Sequence, residues 1–201
     1  LGCNPTFVPP ARIALGAMPE LDERTHGRVH VQAGAHGSAA LQVEGGLADD
    51  LTLEMGLSGA LSQGGMLMAT AGIRRALWRA RYVRLALAAG VGVGCGGKVE
   101  GRGGCSSRVA YGSYLGLDVG WRALPWLGFY QGTRLQWSVG EGGTPLTFWG
   151  FFLGGVQLGT APAYVSLEGG FVGYESFAQD PRHTMDTSGG LHLSLGAGYR
   201  W

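Results

Sequence analysis

From Arg28 to the last residue the chain alternates apolar residues with small or polar ones at a period of two. Successive side chains of a strand point to opposite faces, so this pattern selects strands over amphipathic helices. In Tyr82–Gly94 one face carries Val83, Leu85, Leu87, Ala89, Val91 and Val93, and the other Arg84, Ala86, Ala88, Gly90 and Gly92. Ser188–Trp201 sets Leu191, Leu193, Leu195, Ala197, Tyr199 and Trp201 against Gly190, His192, Ser194, Gly196, Gly198 and Arg200. Val109–Arg122 and Leu51–Leu61 repeat the arrangement.

The alternation predicts ten strands, near 28–36, 39–46, 51–61, 66–76, 82–94, 108–122, 127–139, 146–158, 164–174 and 188–201. The second run is short, which leaves eight strands as the alternative. Most runs reach the roughly 9–11 residues that a tilted strand needs to cross a bilayer. Pro5, Pro9, Pro10 and Pro19 precede the runs, and Pro125, Pro145, Pro162 and Pro181 fall between them. None interrupts a run, as a closed sheet requires, because an internal strand cannot give up a ladder N–H. The run 146–158 departs from the pattern: Phe148 and Phe152 share a face with Gly150 and Gly154, while Trp149, Phe151 and Leu153 occupy the other. A bulge, or an apolar side chain in the lumen, would account for it.

The connections alternate too. Short turns near Leu47–Asp50, Ala123–Trp126 and Thr160–Ala163 are interleaved with longer or Gly-rich loops near Gly94–Arg108, Gly140–Pro145 and Glu175–Thr187. Outer-membrane barrels have short periplasmic turns and longer outer loops. With ten strands, both ends of the barrel fall on the periplasmic side. The expected fold is all-β: a transmembrane antiparallel up-and-down β-barrel over 28–201, preceded by a Pro-containing periplasmic segment, 1–27.

Composition removes the competing classes. The chain holds 39 glycines, yet 45% of its residues are hydrophobic and 10% aromatic, which does not suit a disordered Gly-rich chain. Charged residues make up 14%, well below the roughly 25% of a soluble domain. A net charge of +1 gives no electrostatic case for nucleic acid. No stretch reaches the roughly 18 consecutive apolar residues of a membrane helix. A chain that does not open on Met is read as having already lost a leader.

Glu44, Glu54, Arg74, Arg84, Asp118, Arg134, Glu168 and Arg200 all share the Gly/Ser face of their runs, which would be the lumen. Glu54, Asp118 and Glu168 are expected to pair with Arg74, Arg84, Arg134 and Arg200 in one connected network, because unpaired charges in a narrow barrel are costly. Ten strands make a barrel only slightly wider than the side-chain-filled eight-stranded ones. With Tyr114, Tyr130 and Gln136 also pointing in, a plugged lumen is expected, and a narrow pore for small solutes is the alternative. Aromatics collect at strand ends: Trp78, Tyr82, Trp121, Trp126, Tyr164 and Trp201 at the short-turn rim, and Tyr111, Trp137, Phe148 and Tyr174 towards the other. Such girdles sit at headgroup level and favour a membrane barrel over a soluble barrel or sandwich.

The ending from Leu191 to Trp201 resembles the C-terminal strand of bacterial outer-membrane barrel proteins, which alternates apolar residues and closes on an aromatic. Members of that class usually end in Phe, and Trp201 departs from this. The stretch Glu44–Leu53 is similar to their periplasmic hairpins. The resemblance spans about 28–201 and is to the class as a whole. It implies a Gram-negative outer membrane, contact with its lipid, recognition by the barrel-assembly machinery, and a structural or partner-binding role among other envelope proteins. No cofactor is expected.

Cys95 and Cys105 bracket one outer loop, where an oxidising compartment favours a disulfide. No metal site is expected, because two thiols lack nearby ligands. Leu1-Gly2-Cys3 resembles the end of a bacterial lipobox, which would make Cys3 a lipidation site. An unpaired or intermolecular thiol is the other reading of Cys3.

The weak catalytic candidates are His192, Ser194 and Glu168. A hairpin with its loop near residue 181 would bring Glu168 beside Ser194 on the lumen side. The set resembles that of outer-membrane lipid A deacylases. However, in that family the Glu follows the His-x-Ser, and here it precedes it, in a lumen that lipid does not reach. A polar interior network is the plainer reading. Omptin-type proteases also have ten strands, but they carry their acidic and His residues on long extensions that this chain lacks. Asp180, His183 and Asp186 fall on one loop and read as solvated.

Overall fold

The computed structural model describes residues 27–34, 37–60, 66–96, 108–140, 146–177 and 186–201. They form ten strands: β1 (Gly27–Gly34), β2 (Ser38–Ala48), β3 (Leu51–Ala60), β4 (Met66–Arg79), β5 (Val83–Gly96), β6 (Arg108–Leu124), β7 (Leu127–Gly140), β8 (Leu146–Leu158), β9 (Ala163–Phe177) and β10 (Asp186–Arg200). Each strand pairs antiparallel with its chain neighbours, and β10 returns to pair with β1, so the sheet closes without an edge. The eight-strand alternative falls, because β2 pairs along its length with both β1 and β3.

Closure fixes a stagger. A row of cross-strand partners starting at Arg28 runs through Glu44, Glu54, Gly72, Gly90, Tyr114, Gln136, Trp149 and Tyr174 to Ser188. Arg28 itself pairs with Arg200, so one circuit shifts the register by the twelve residues between 188 and 200. For ten strands that shear corresponds to a tilt of about 40° and a radius of about 10 Å. Three ladders slip at the rim of short turns, between Gly46 and Ala48, Ala76 and Trp78, and Arg122 and Leu124. Elsewhere the ladders run without interruption. At the β8–β9 turn Gly159 has a φ of +134°, and a Cβ there would meet the Ala163 carbonyl.

The two faces are inverted relative to a water-soluble protein. Val31, Met55, Ile73, Val91, Leu135, Phe152, Leu167 and Leu193 lie exposed around the outside. Inside, the largest fully buried side chains include Arg28, Arg134, His30, Gln136 and Glu168. Backbone groups are satisfied by the closed ladder, so polar side chains inside and apolar ones outside suit a hydrocarbon surround. On β6, Tyr111 and Trp121 bracket the outer face, about 25 Å apart along the axis at that tilt.

Run 146–158 contains no register shift, so the bulge is excluded in favour of the second explanation: Leu153 is an apolar side chain fully buried in the lumen. Tyr164 departs from expectation. It is not part of the girdle: it is 3% exposed and lies inside the barrel, where its ring stacks on His30. Trp78, Tyr82, Trp121, Trp126 and Trp201 are exposed at the short-turn rim, and Tyr111 and Trp137 towards the other. The side chains of Phe148 and Tyr174 lie outside the described residues, as does the segment before Gly27.

Candidate functional site

The chemistry of this molecule is concentrated in its lumen. Alternation on each strand puts charged and amide side chains there, and the stagger decides which of them meet. Arg74 on β4 is the hub. Its Nη1 is 3.1 Å from Glu44 Oε2, its Nη2 2.6 Å from Glu54 Oε1, and its Nε 3.2 Å from Asp118 Oδ2. Glu44 and Glu54 are direct cross-strand partners, a like-charge pair that would be unfavourable without the guanidinium between them. Glu44 also accepts from Arg28, and Glu54 accepts from the Tyr114 hydroxyl at 3.4 Å. Asp118 is gripped through both oxygens by Arg134, with Nη2 at 2.8 Å from Oδ2 and Nη1 paired to Oδ1.

Three arginines and three carboxylates thus form one neutral chain of ion pairs from β1 to β7 across the barrel. Their side chains are all at most 6% exposed. Small residues make room for it. Ala86 and Ala88 on β5 let Arg74 reach past that strand, and Gly116 lies under the Arg134 side chain, which a Cβ would strike.

Glu168 joins a second set. It is the cross-strand partner of Ser194, as the hairpin argument required. Gln32 Nε2 donates to Glu168 Oε1 at 3.2 Å and also to Ser194 Oγ. His192 Nε2 lies 3.1 Å from Ser194 Oγ and 3.7 Å from Glu168 Oε1. In a nucleophile–base–acid relay the acid orients the far ring nitrogen of the base. Here the same nitrogen faces both partners. Ser194 is 3% exposed, and the hollow beside it has room for about 10 Å3. The arrangement makes a polar packing cluster.

At the short-turn end the Tyr164 hydroxyl is 3.2 Å from His30 Nδ1, and the Arg200 guanidinium sits 4.6 Å above the Tyr164 ring. Gly196 and Gly198 on β10 give these rings their space. Arg84 is half-buried on the inner face of β5 near the same end.

Of the expected network residues, Glu54, Arg74, Asp118 and Arg134 meet directly, while Glu168 and Arg200 enter the two neighbouring sets. Sequence reasoning left out Arg28, His30 and Gln32. Their signal was present, because Arg28-Val29-His30-Val31-Gln32 alternates as cleanly as any other run. Cys95, the last residue but one of β5, is an exposed free thiol, and the expected disulfide to Cys105 is not seen. Cys105, Cys3, Asp180 and His183 lie outside the described residues. Among the described residues no group of His, Cys, Asp and Glu is placed to hold a metal ion.

No family model matches the chain. No curated protein matches it either. Among solved structures it is similar to OmpTdeltaL8, a loop L8 deletion mutant of OmpT, an outer membrane protein of Vibrio cholerae. The identity is 10%, over 88% of this chain and 100% of that one, with a TM-score of 0.26. That likeness is too slight to carry an argument about function.

Proposed function

We propose that this chain is an outer-membrane β-barrel whose lumen is closed by its own side chains, and that it acts as a structural or partner-binding component of that membrane. The observation that carries this reading is the ion-pair chain through Arg74. It joins non-adjacent strands across the interior, where a conducting path would have to run. The apolar outer face between aromatic ends supports the membrane, since contiguous exposed apolar surface of this extent is not tolerated in water. Gly27 and Trp201 meet at the short-turn rim, with their backbone groups 3.1–3.2 Å apart. Short turns mark the periplasmic side of such barrels, which would place both barrel ends there, with Trp201 available to the assembly machinery.

Planar-bilayer recording of the purified chain tests this reading. The expected result is no discrete conductance from the unmodified protein, and discrete steps from Arg74→Ala paired with Asp118→Ala. Stable single-channel steps from the unmodified protein would overturn the closed lumen in favour of a narrow pore.

A further inference from the structure

Most outward positions between the aromatic ends carry an apolar side chain, but two on neighbouring strands carry none. Gly154 on β8 and Gly169 on β9 are direct cross-strand partners, and they continue a row of partners from Gln131 on β7 to Leu193 on β10. All four face the lipid, because each sits next in sequence to a buried lumen residue: Tyr130, Leu153, Glu168 and Ser194. The glycines leave a groove of about 490 Å3, with Phe129, Val156 and Leu167 as its wall on the short-turn side and Phe152 on the other. That size is ordinary for a small-molecule site.

The barrel's own packing does not call for these two glycines. A Cβ at Gly154 would meet the Tyr130 carbonyl at 3.4 Å, and one at Gly169 the His192 carbonyl at 3.4 Å and Leu193 Cδ1 at 3.5 Å, all ordinary contacts. Their inward neighbours differ: a Cβ at Gly155 would strike the Tyr130 ring, and one at Gly170 the Phe152 carbonyl.

The groove is polar at one end. Gln131 is exposed on the lipid face, and among the described residues its amide makes no hydrogen bond. An amide held in hydrocarbon without a partner is costly. Gln131 stands two residues beyond Phe129, whose ring stacks on Trp121 with centroids 5.2 Å apart, at the level of the aromatic girdle. From Gln131 the row climbs towards the middle of the bilayer. The stagger sets this direction, since a row of partners followed from β1 to β10 ends at Ser188 while Arg28 itself pairs with Arg200. At a tilt of about 40° each strand crossed adds about 3 Å of height, so Leu193 lies about 9 Å deeper than Gln131. A hydrogen-bond donor just inside the girdle, followed by an apolar channel running inward, matches the order of an ester carbonyl and its acyl chain. A second copy related by a twofold along the membrane normal would set the two inclined grooves across each other, and neither would fill the other.

We propose that this groove is a binding site for a diacyl glycerophospholipid of the leaflet on the short-turn side. The Gln131 amide N–H donates to an ester carbonyl, one acyl chain lies over Gly154 and Gly169, and Leu193 closes the far end. The inference rests on the membrane reading above and adds a lipid class and a place to it. One amide–carbonyl hydrogen bond contributes about fivefold to affinity, and an ether-linked lipid, which lacks the carbonyl, forfeits it.

The test is native mass spectrometry of the full chain released from detergent micelles that hold equal amounts of a diester phosphatidylethanolamine and its diether analogue. The expected result is about fivefold preferential retention of the diester lipid, lost in Gln131→Leu. Gly154→Leu/Gly169→Leu fills the groove and should lose retention of both lipids. Gln131→Leu, on the exposed face, tests the site independently of the glycines. Equal retention of the two lipids by the unmodified chain would overturn the site, and so would undiminished retention in the glycine variant. A dimer that dissociates in Gln131→Leu would assign the groove to a second copy and overturn it as well. Insertion into phosphatidylcholine vesicles is read separately: failure there sinks the membrane reading, whereas insertion without ester selectivity sinks only this site.

Discussion

Arg74 Nε lies 3.2 Å from Asp118 Oδ2, although β4 and β6 are separated by the whole of β5. Asp118 is also the carboxylate that Arg134 grips, so one acid touches two buried guanidiniums. Asp118→Asn keeps the shape but takes from Arg134 its carboxylate partner, while Arg74 keeps Glu44 and Glu54. The expected cost is about 3–5 kcal/mol, as for breaking other buried pairs. Urea unfolding in detergent, followed by loss of β-type circular dichroism, measures it. A change within about 0.5 kcal/mol would mean that water screens the network and the lumen is open.

Neighbouring positions on β6 should respond oppositely to substitution. Gly116→Leu would drive a side chain into Arg134, and overpacking of this kind costs about 1–3 kcal/mol or more. Leu117→Val, on the outer face, should cost under about 1 kcal/mol. Unfolding midpoints of the two variants decide. If Leu117→Val proves the more damaging, the faces are assigned backwards.

Tyr164 separates an interior role from a girdle role. Tyr164→Phe removes the hydroxyl contact to His30 but leaves the stack, for a loss of about 1 kcal/mol. Tyr164→Ala also removes the ring beneath Arg200, for a loss of about 3–5 kcal/mol. Thermal unfolding monitored by gel mobility should rank wild type, Phe and Ala in that order. Equal stability of all three would place the ring in the lipid interface.

Cys95, exposed at the end of β5, is expected to bridge to Cys105 in protein taken from an oxidising compartment. Such a link would contribute about 2–3 kcal/mol by closing the loop between them. Peptide mapping without reductant should recover the joined peptides. Two alkylatable thiols in protein from the native membrane would reject the bridge.

The amino-acid sequence by itself determined the secondary structure, the two faces and the closure. Period-two alternation leaves no freedom in which side a residue takes once its strand is paired, and prolines outside the runs allow every strand two neighbours. Even Tyr164 was legible in this way, because it shares parity with Ser166 and Glu168, and its place near the rim does not change the side it faces. Leu153 was ambiguous, since an apolar residue on the inner face and a bulge leave the same trace in the sequence.

Only the tertiary structure decided which lumen residues meet. Height inside the barrel depends on the register of every ladder, and these accumulate to the twelve-residue stagger. Alternation alone groups Glu168 with Asp118, yet the register delivers Glu168 to Gln32 and Ser194, and Asp118 to Arg74 and Arg134. The reach from Arg74 to Asp118 further requires that Ala86 and Ala88 leave the intervening strand bare. Side-chain direction is a local property of a strand, whereas contact across a closed barrel is a sum over all ten.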